Sequence, residues 1–110
     1  MDQTLLDSYR HELRRGTGAI ACLALLTGGA DYGYNLIARL AELGFDLEAN
    51  TLYPLLRRLD TQGLLTSEWN TDEARPRKFY RTSPAGTELL VALRQDWAQI
   101  TKTLDDIEEN

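Results

Sequence analysis

Apolar residues fall into helical spacing from the first turn of the chain. Leu5, Leu6, Tyr9 and Leu13 form one stripe up to Gly16, and after Thr17-Gly18 the run Ala19 to Leu26 is almost wholly apolar before Gly28-Gly29. Spacings of three and four residues put side chains on one helical face, so two short helices are predicted, the second of them buried. Asp31 suits an N-cap, because its carboxylate can accept from the free amides of the next turn. Leu36, Ile37 and Leu40 then form the inner stripe of a third helix that ends near Gly44. After the connector Phe45 to Glu48, a fourth helix starts with Asn50 or Thr51 as its cap and carries Pro54 in its first turn, where a missing N–H matters least. Its inner face is Leu52, Leu55, Leu56 and Leu59, and Gly63 ends it.

The rhythm changes from Leu65 to Asn70 and again from Arg77 to Thr82, where short runs carry Thr, Trp, Phe and Tyr on either side of a charged segment. This pattern predicts a β-hairpin with a long tip. Ser83 caps and Pro84 opens a final helix with no glycine after Gly86. In it Leu90, Leu93, Trp97, Ile100, Leu104 and Ile107 are spaced alternately by 3 and 4 residues, the repeat of a coiled-coil seam. A domain this small cannot cover such a seam, so a homodimer is expected, with Leu6 and Tyr9 of the first stripe packing across the subunits. The fold class is therefore mainly α with a small β-hairpin. Residues 1–83 form a winged helix-turn-helix with its N-terminal helix, and residues 84–110 form a dimerisation helix.

Composition adds limits to that picture. With 110 residues, 43% hydrophobic and 26% charged, the chain has the makeup of one soluble domain. No apolar run reaches the roughly 18 to 20 residues of a bilayer span, and the acidic, polar start Met1-Asp2-Gln3 points to a cytoplasmic protein without a membrane partner. A lone Cys22 in an apolar run is a small core residue. With a single His11 and no CxxC pair there is no framework for a disulfide, a structural metal or a cofactor. His11 has no suitably spaced nucleophile beside it, which argues against an enzyme. The net charge of −5 at first opposes a nucleic-acid partner, but beyond residue 95 five acids against Lys102 alone account for −4 of it. In the nearly neutral remainder, Arg75, Arg77, Lys78 and Arg81 crowd one short segment, and a local patch matters more for phosphate contact than the whole-chain sum.

On the fourth helix the outward positions include Thr51, Tyr53, Arg57, Arg58 and Thr61, hydroxyl and guanidinium groups that can donate to phosphates and base edges. Taken alone, such a helix reads equally as a solvated face. Three further pieces change the balance: Tyr32-Gly33-Tyr34 with Leu36-Ile37; Thr51-Leu52-Tyr53-Pro54-Leu55-Leu56-Arg57-Arg58-Leu59 with Gly63-Leu64-Leu65; and Trp69 followed by Arg77-Lys78-Phe79-Tyr80-Arg81-Thr82 and Gly86. Together they resemble the PadR family of bacterial transcription regulators over almost the whole chain. The resemblance implies a helix-turn-helix built from residues 32–43 and 51–62, the second being the reading helix. On it Tyr34, Asn50, Thr51, Tyr53, Pro54, Arg57 and Arg58 belong to the DNA-facing surface, and the wing residues Arg75, Arg77 and Lys78 lie against phosphate. The wing tip Glu73-Ala74-Arg75-Pro76 departs from the family pattern, which often carries glycines there, so the depth of wing insertion stays open.

The resemblance also implies pairing through the C-terminal helix, whose single short form places the chain in the smaller branch of the family. Paired reading helices match double-stranded DNA with a pseudo-palindromic operator. Trp97 in mid-seam has two readings: interface core, or a stacking surface for the planar aromatic effectors that some relatives bind between these helices. The function expected is a sequence-specific DNA-binding repressor relieved by a small aromatic effector. The alternative is a winged-helix protein-interaction module without DNA binding, which the net acidity would suit and which the Arg75–Arg81 patch argues against.

Overall fold

A computed structural model describes residues 1–72 and 74–109; Glu73 of the wing tip and Asn110 of the last helix lie outside the described residues. The elements run α1 (Gln3–Arg15), α2 (Gly18–Gly28), β1 (Asp31–Tyr32), α3 (Gly33–Glu42), α4 (Ala49–Thr61), β2 (Leu65–Asn70), β3 (Arg77–Thr82) and α5 (Pro84–Glu109). The hairpin strands and the start of α5 fall where the change of periodicity put them. Among the described residues no helix is long and apolar enough to cross a membrane.

The core is mostly leucine. Leu23 and Leu26 of α2, Leu36 and Leu40 of α3, Leu52 and Leu56 of α4 and Leu65 of β2 are sealed from solvent, and Tyr80 of β3 and Leu90 of α5 close its edge. Because α2 is apolar on all sides, it sits centrally, against α5 and β3. Cys22 is buried beside Leu23, and burial pushes its thiol up to about 12. It stays protonated at neutral pH and fills space as a small apolar group.

Two expectations change on contact with the structure. Asp31 does not cap α3 but belongs to β1, pairing with Tyr80 while Tyr32 pairs with Phe79, so the sheet has three antiparallel strands in the order β1-β3-β2. Its buried carboxylate still governs the helix entrance. It accepts from the Tyr32 amide, Asn35 Nδ2 and Arg39 Nη1, each at 2.8 Å. These bonds satisfy a buried anion that would otherwise be costly. Secondly, α4 begins at Ala49, with Glu48 at the N-cap position making no side-chain cap, ahead of both Asn50 and Thr51. Pro54 therefore lies in the second turn, where it cannot donate to the Asn50 carbonyl.

The junction between wing and last helix is held by one hydroxyl. Ser83 Oγ donates to the Gly63 carbonyl at 2.6 Å and accepts from the Gly86 amide at 3.1 Å, while the Ser83 amide donates to the Leu64 carbonyl at 3.1 Å. Gly63 can end α4 here because its φ of +78° is open to glycine at little cost. Gly86 lies so close to the Leu64 carbonyl that a Cβ would overlap it. On the other side of the junction, Thr82 Oγ1 donates to the Leu23 carbonyl of α2 at 2.8 Å.

Two segments stand away from this core. No residue of α1 is buried, and Leu5, Tyr9 and Leu13 are half or more exposed; beyond Leu93, so are most of the apolar residues of α5. The radius of gyration is 16.1 Å, against about 13 Å for a compact chain of this length.

The Ser83 arrangement yields a stability prediction. Ser83→Ala removes a helix cap, leaving the buried Gly86 amide unpaired and the Gly63 carbonyl without its donor, a loss of about 2 kcal/mol. Gly86→Ala should cost more, because its neighbour is rigid backbone. Urea unfolding at one fixed protein concentration measures both, and a Ser83→Ala midpoint equal to that of the unmutated chain would refute the assignment.

Candidate nucleic-acid interface

The α3 and α4 helices pack on each other through Leu36, Leu40, Leu52 and Leu56, which leaves the opposite face of α4 in solvent. Gly44, with φ +88°, turns the chain out of α3, and Leu47 anchors the connector in the core. Period 3.6 then does the sorting: Leu52, Leu55, Leu56 and Leu59 point inward, while Asn50, Thr51, Tyr53, Pro54, Arg57 and Arg58 are all exposed.

The wing is pinned beside this helix on both its faces. Facing α4, Lys78 Nζ lies 3.5 Å from Asp60 Oδ2, which also accepts from Ser67 Oγ at 2.8 Å. On the other face the Arg77 guanidinium stacks 4.4 Å above the Tyr32 ring, and Tyr32 meets Phe79 edge-on at 5.2 Å. Cation–π and edge-to-face contacts of this kind contribute roughly 0.5–1.5 kcal/mol each. Together they tie the wing to α4 through Asp60 and to the entrance of α3 through Tyr32.

Between them lies an open cleft of about 620 Å³. Tyr34, Tyr53, Arg57, Arg75, Arg77 and Lys78, all named from the sequence, line it. Asn50, Thr51, Pro54 and Arg58 are exposed on α4 but do not line the cleft. The cations have different duties. Arg77 is stacked and Lys78 is paired, whereas among the described residues Arg57 and Arg75 form no ion pair. Tyr80 is buried and Phe79 half-buried, so both are wing packing.

Trp69 is one of the lining residues, with Tyr32, Gly33, Pro76 and Tyr80, that sequence reasoning did not place on this surface. It is 61% exposed and stands opposite Lys78 in the β2–β3 register. Counting by twos from the buried Leu65 through Ser67 brings Trp69 to the α4 side, a signal the strand pattern did contain.

A second, mostly apolar groove of about 660 Å³ lies on another side of the molecule, between Leu13 of α1, Ile20 and Leu25 of α2, Phe45, and Trp97 of α5. It runs into the exposed stripes of α1 and α5. Of the seam residues, Leu90 is spent in the protomer's own core and Leu93 is half-buried, while Trp97, Ile100, Leu104 and Ile107 are 44–64% exposed. In the first stripe Leu6 is half-buried and Tyr9 is exposed.

Comparison with known proteins agrees with this geometry. A transcriptional regulator from Mycobacterium tuberculosis, Rv3488, is 33% identical over 93 residues, 82% of this chain and 87% of that protein. A PadR family transcriptional regulator from Eggerthella lenta superposes with a TM-score of 0.92 at 41% identity, over 97% of this chain and 95% of that one. A PadR-like transcription factor from Bacteroides fragilis gives a TM-score of 0.76 at 30% identity, over 91% and 98%. The model of the transcriptional regulator PadR-like family matches residues 22–92, the stretch that carries the helix-turn-helix, the wing and the splice into α5. The chain belongs to that family, and its fold is the winged helix of a transcription regulator.

Proposed function

We propose that this regulator binds a pseudo-palindromic DNA site as a homodimer, reading it with the exposed face of α4 and gripping its backbone with the wing. The observation that carries this reading is the cleft in which Tyr34, Tyr53, Arg57 and Arg75 converge from three elements. Arg57 and Arg75, lacking ion-pair partners among the described residues, can donate to phosphates or base edges without first giving up a carboxylate. Asn50, Thr51 and Arg58 extend the same surface along α4, and Pro54 stiffens its second turn. Arg77 and Lys78 serve the complex chiefly by holding the wing in place. The acidic excess lies in the second half of α5, whose residues do not line this cleft.

The dimer is proposed from the two exposed stripes. Covering Trp97, Ile100 and Leu104 would gain on the order of 1.5–3 kcal/mol for each fully buried side chain, and Leu5, Tyr9 and Leu13 offer a complementary face. Leu93 and Ile107 extend the contact at either end, and Leu6 lies beside it. We further propose repression relieved by a planar aromatic effector at Trp97, where the apolar groove and the seam meet. A ligand shifts the balance only by its preference for one arrangement, and a tenfold loss of operator affinity needs about 1.4 kcal/mol of preference.

Three outcomes are expected. Genomic fragments captured by the protein should share a palindromic sequence, with affinity that falls steeply as salt rises because bound counterions are released. Arg57→Ala should weaken that binding by roughly 1–3 kcal/mol. Gel shifts showing neither effect in a folded protein would favour the protein-interaction module instead. Sedimentation should find a dimer at micromolar concentration that Ile100→Asp splits or unfolds; a stable folded monomer of the unmutated chain would sink the pairing. Flat polycyclic compounds and phenolic acids should quench Trp97 fluorescence and release the operator. Because Trp69 also emits, the titration is repeated in Trp97→Ala, and unchanged quenching there would reduce Trp97 to interface core.

A further inference from the structure

Two motifs that are separate in the sequence, Tyr32-Gly33-Tyr34 and Thr51-Leu52-Tyr53-Pro54, meet at one point. Gly33 is the first residue of α3 and is buried, and the Tyr53 ring of α4 lies directly against it. A Cβ built at Gly33 would overlap the ring edge at Cε1 and stand 3.1 Å from Cζ and 3.2 Å from Cδ1. The glycine is not needed for its backbone angle, since among the described residues only Gly44 and Gly63 occupy the left-handed region. What position 33 requires is the absence of a side chain. The phenol thereby gains a flat seat on backbone at a place where it is only 38% exposed, beside the cleft it lines with Tyr34 and Arg57.

We propose that Gly33 is a positioning residue for DNA recognition: it gives the Tyr53 ring the seat that fixes where the phenol stands on the reading surface. The proposal rests on the DNA-binding reading above and deepens it. The atoms in conflict with an added methyl are the far end of a side chain, not main chain, so α3 and α4 can keep their packing while the ring swings off. The room next to the ring is the cleft itself. A displaced phenol would therefore occupy space meant for DNA, and it would lose the contacts that hold a single rotamer. Arg57, one turn further along the same face, shares that space. Gly86 makes the contrast plain, since there the obstructing atom is the Leu64 carbonyl and no side chain can yield.

The test is a double-mutant cycle on the dimeric protein, read by fluorescence anisotropy with the captured operator duplex and a scrambled duplex of equal length. Gly33→Ala is expected to lower operator affinity about tenfold, to change scrambled-duplex binding less than twofold, and to leave the unfolding temperature within a few degrees. In a Tyr53→Ala background, where no ring remains to displace, the same substitution should change operator affinity less than twofold. Operator binding by Gly33→Ala equal to that of the unmutated protein would overturn the proposal. So would a Gly33→Ala loss that persists undiminished in the Tyr53→Ala background. If Gly33→Ala does not fold, the double variant decides: recovery of folding with the affinity of Tyr53→Ala supports the ring-seat role, and failure to fold refutes it. Tyr53→Ala without effect also overturns it, and the DNA reading itself falls only if Arg57→Ala is without effect as well.

Discussion

The Ser83 hydroxyl sits where three parts of the molecule meet, and the relative placement of all three follows from its two hydrogen bonds. Its proton goes to the Gly63 carbonyl at the end of α4, and its lone pair receives the Gly86 amide in the first turn of α5. The residue just before it, Thr82, ends the wing and bonds α2. Reading helix, wing and last helix are thus joined within a few residues, with no flexible linker between them. The buried Gly86 amide cannot relax from this hydroxyl without being left unpaired, which costs about 1–3 kcal/mol. The leucine core supplies most of the stabilising burial, but it is non-directional. The junction supplies the direction.

Electrostatics follow the same segregation. An overall charge of −5 does not describe any one face. Most acids of α5, all but Glu88, lie past residue 95, whereas Arg57, Arg75, Arg77 and Lys78 gather at one cleft. With a Debye length near 8 Å at physiological salt, exposed charges separated from the cleft by more than that distance are largely screened from it. Two of the four cations are partly neutralised or stacked in place, so the wing is held still before DNA arrives. A held wing avoids part of the ordering entropy that a free loop would lose on binding.

Much of this was legible in the pattern of residues, for identifiable reasons. The strands Leu65–Asn70 and Arg77–Thr82 and the helix opened by Pro84 were found at their bounds because periodicity changes there and Gly63, Ser83 and Pro84 punctuate it. The strand at Asp31–Tyr32 was not found: two residues cannot display alternation, and aspartate before a helix reads as a cap. The start of α4 was placed late because Asn50 and Thr51 are good caps, while Glu48 holds the position with no side-chain bond to announce it. At the cleft, Tyr53 and Arg57 are legible from the outward face of α4 and Arg75 and Arg77 from the local basic patch, whereas Tyr34 rests on family likeness alone. Trp69 was overlooked because an aromatic in a strand is usually packing. That Gly33 and Tyr53 touch is a tertiary fact, and no spacing within either motif contains it.

The rigidity of the junction has a consequence for control that depends on lengths alone. A helix of 26 residues rises about 39 Å, so in the proposed dimer a tilt of about 5° at the seam moves its other end by about 3 Å. In that proposed dimer the two α4 helices would address half-sites about 34 Å apart, while hydrogen bonds to phosphates and bases weaken once donor and acceptor part by a few tenths of an ångström. With slack between α5 and α4, the linker would absorb such a tilt. Here the Ser83–Gly63 bond and the close approach of Gly86 to the Leu64 carbonyl leave nothing to absorb it. An effector of the kind proposed at Trp97 would therefore not need to reach the DNA-binding face to change it, since a small change of helix angle at the proposed seam would be passed through this junction to α4.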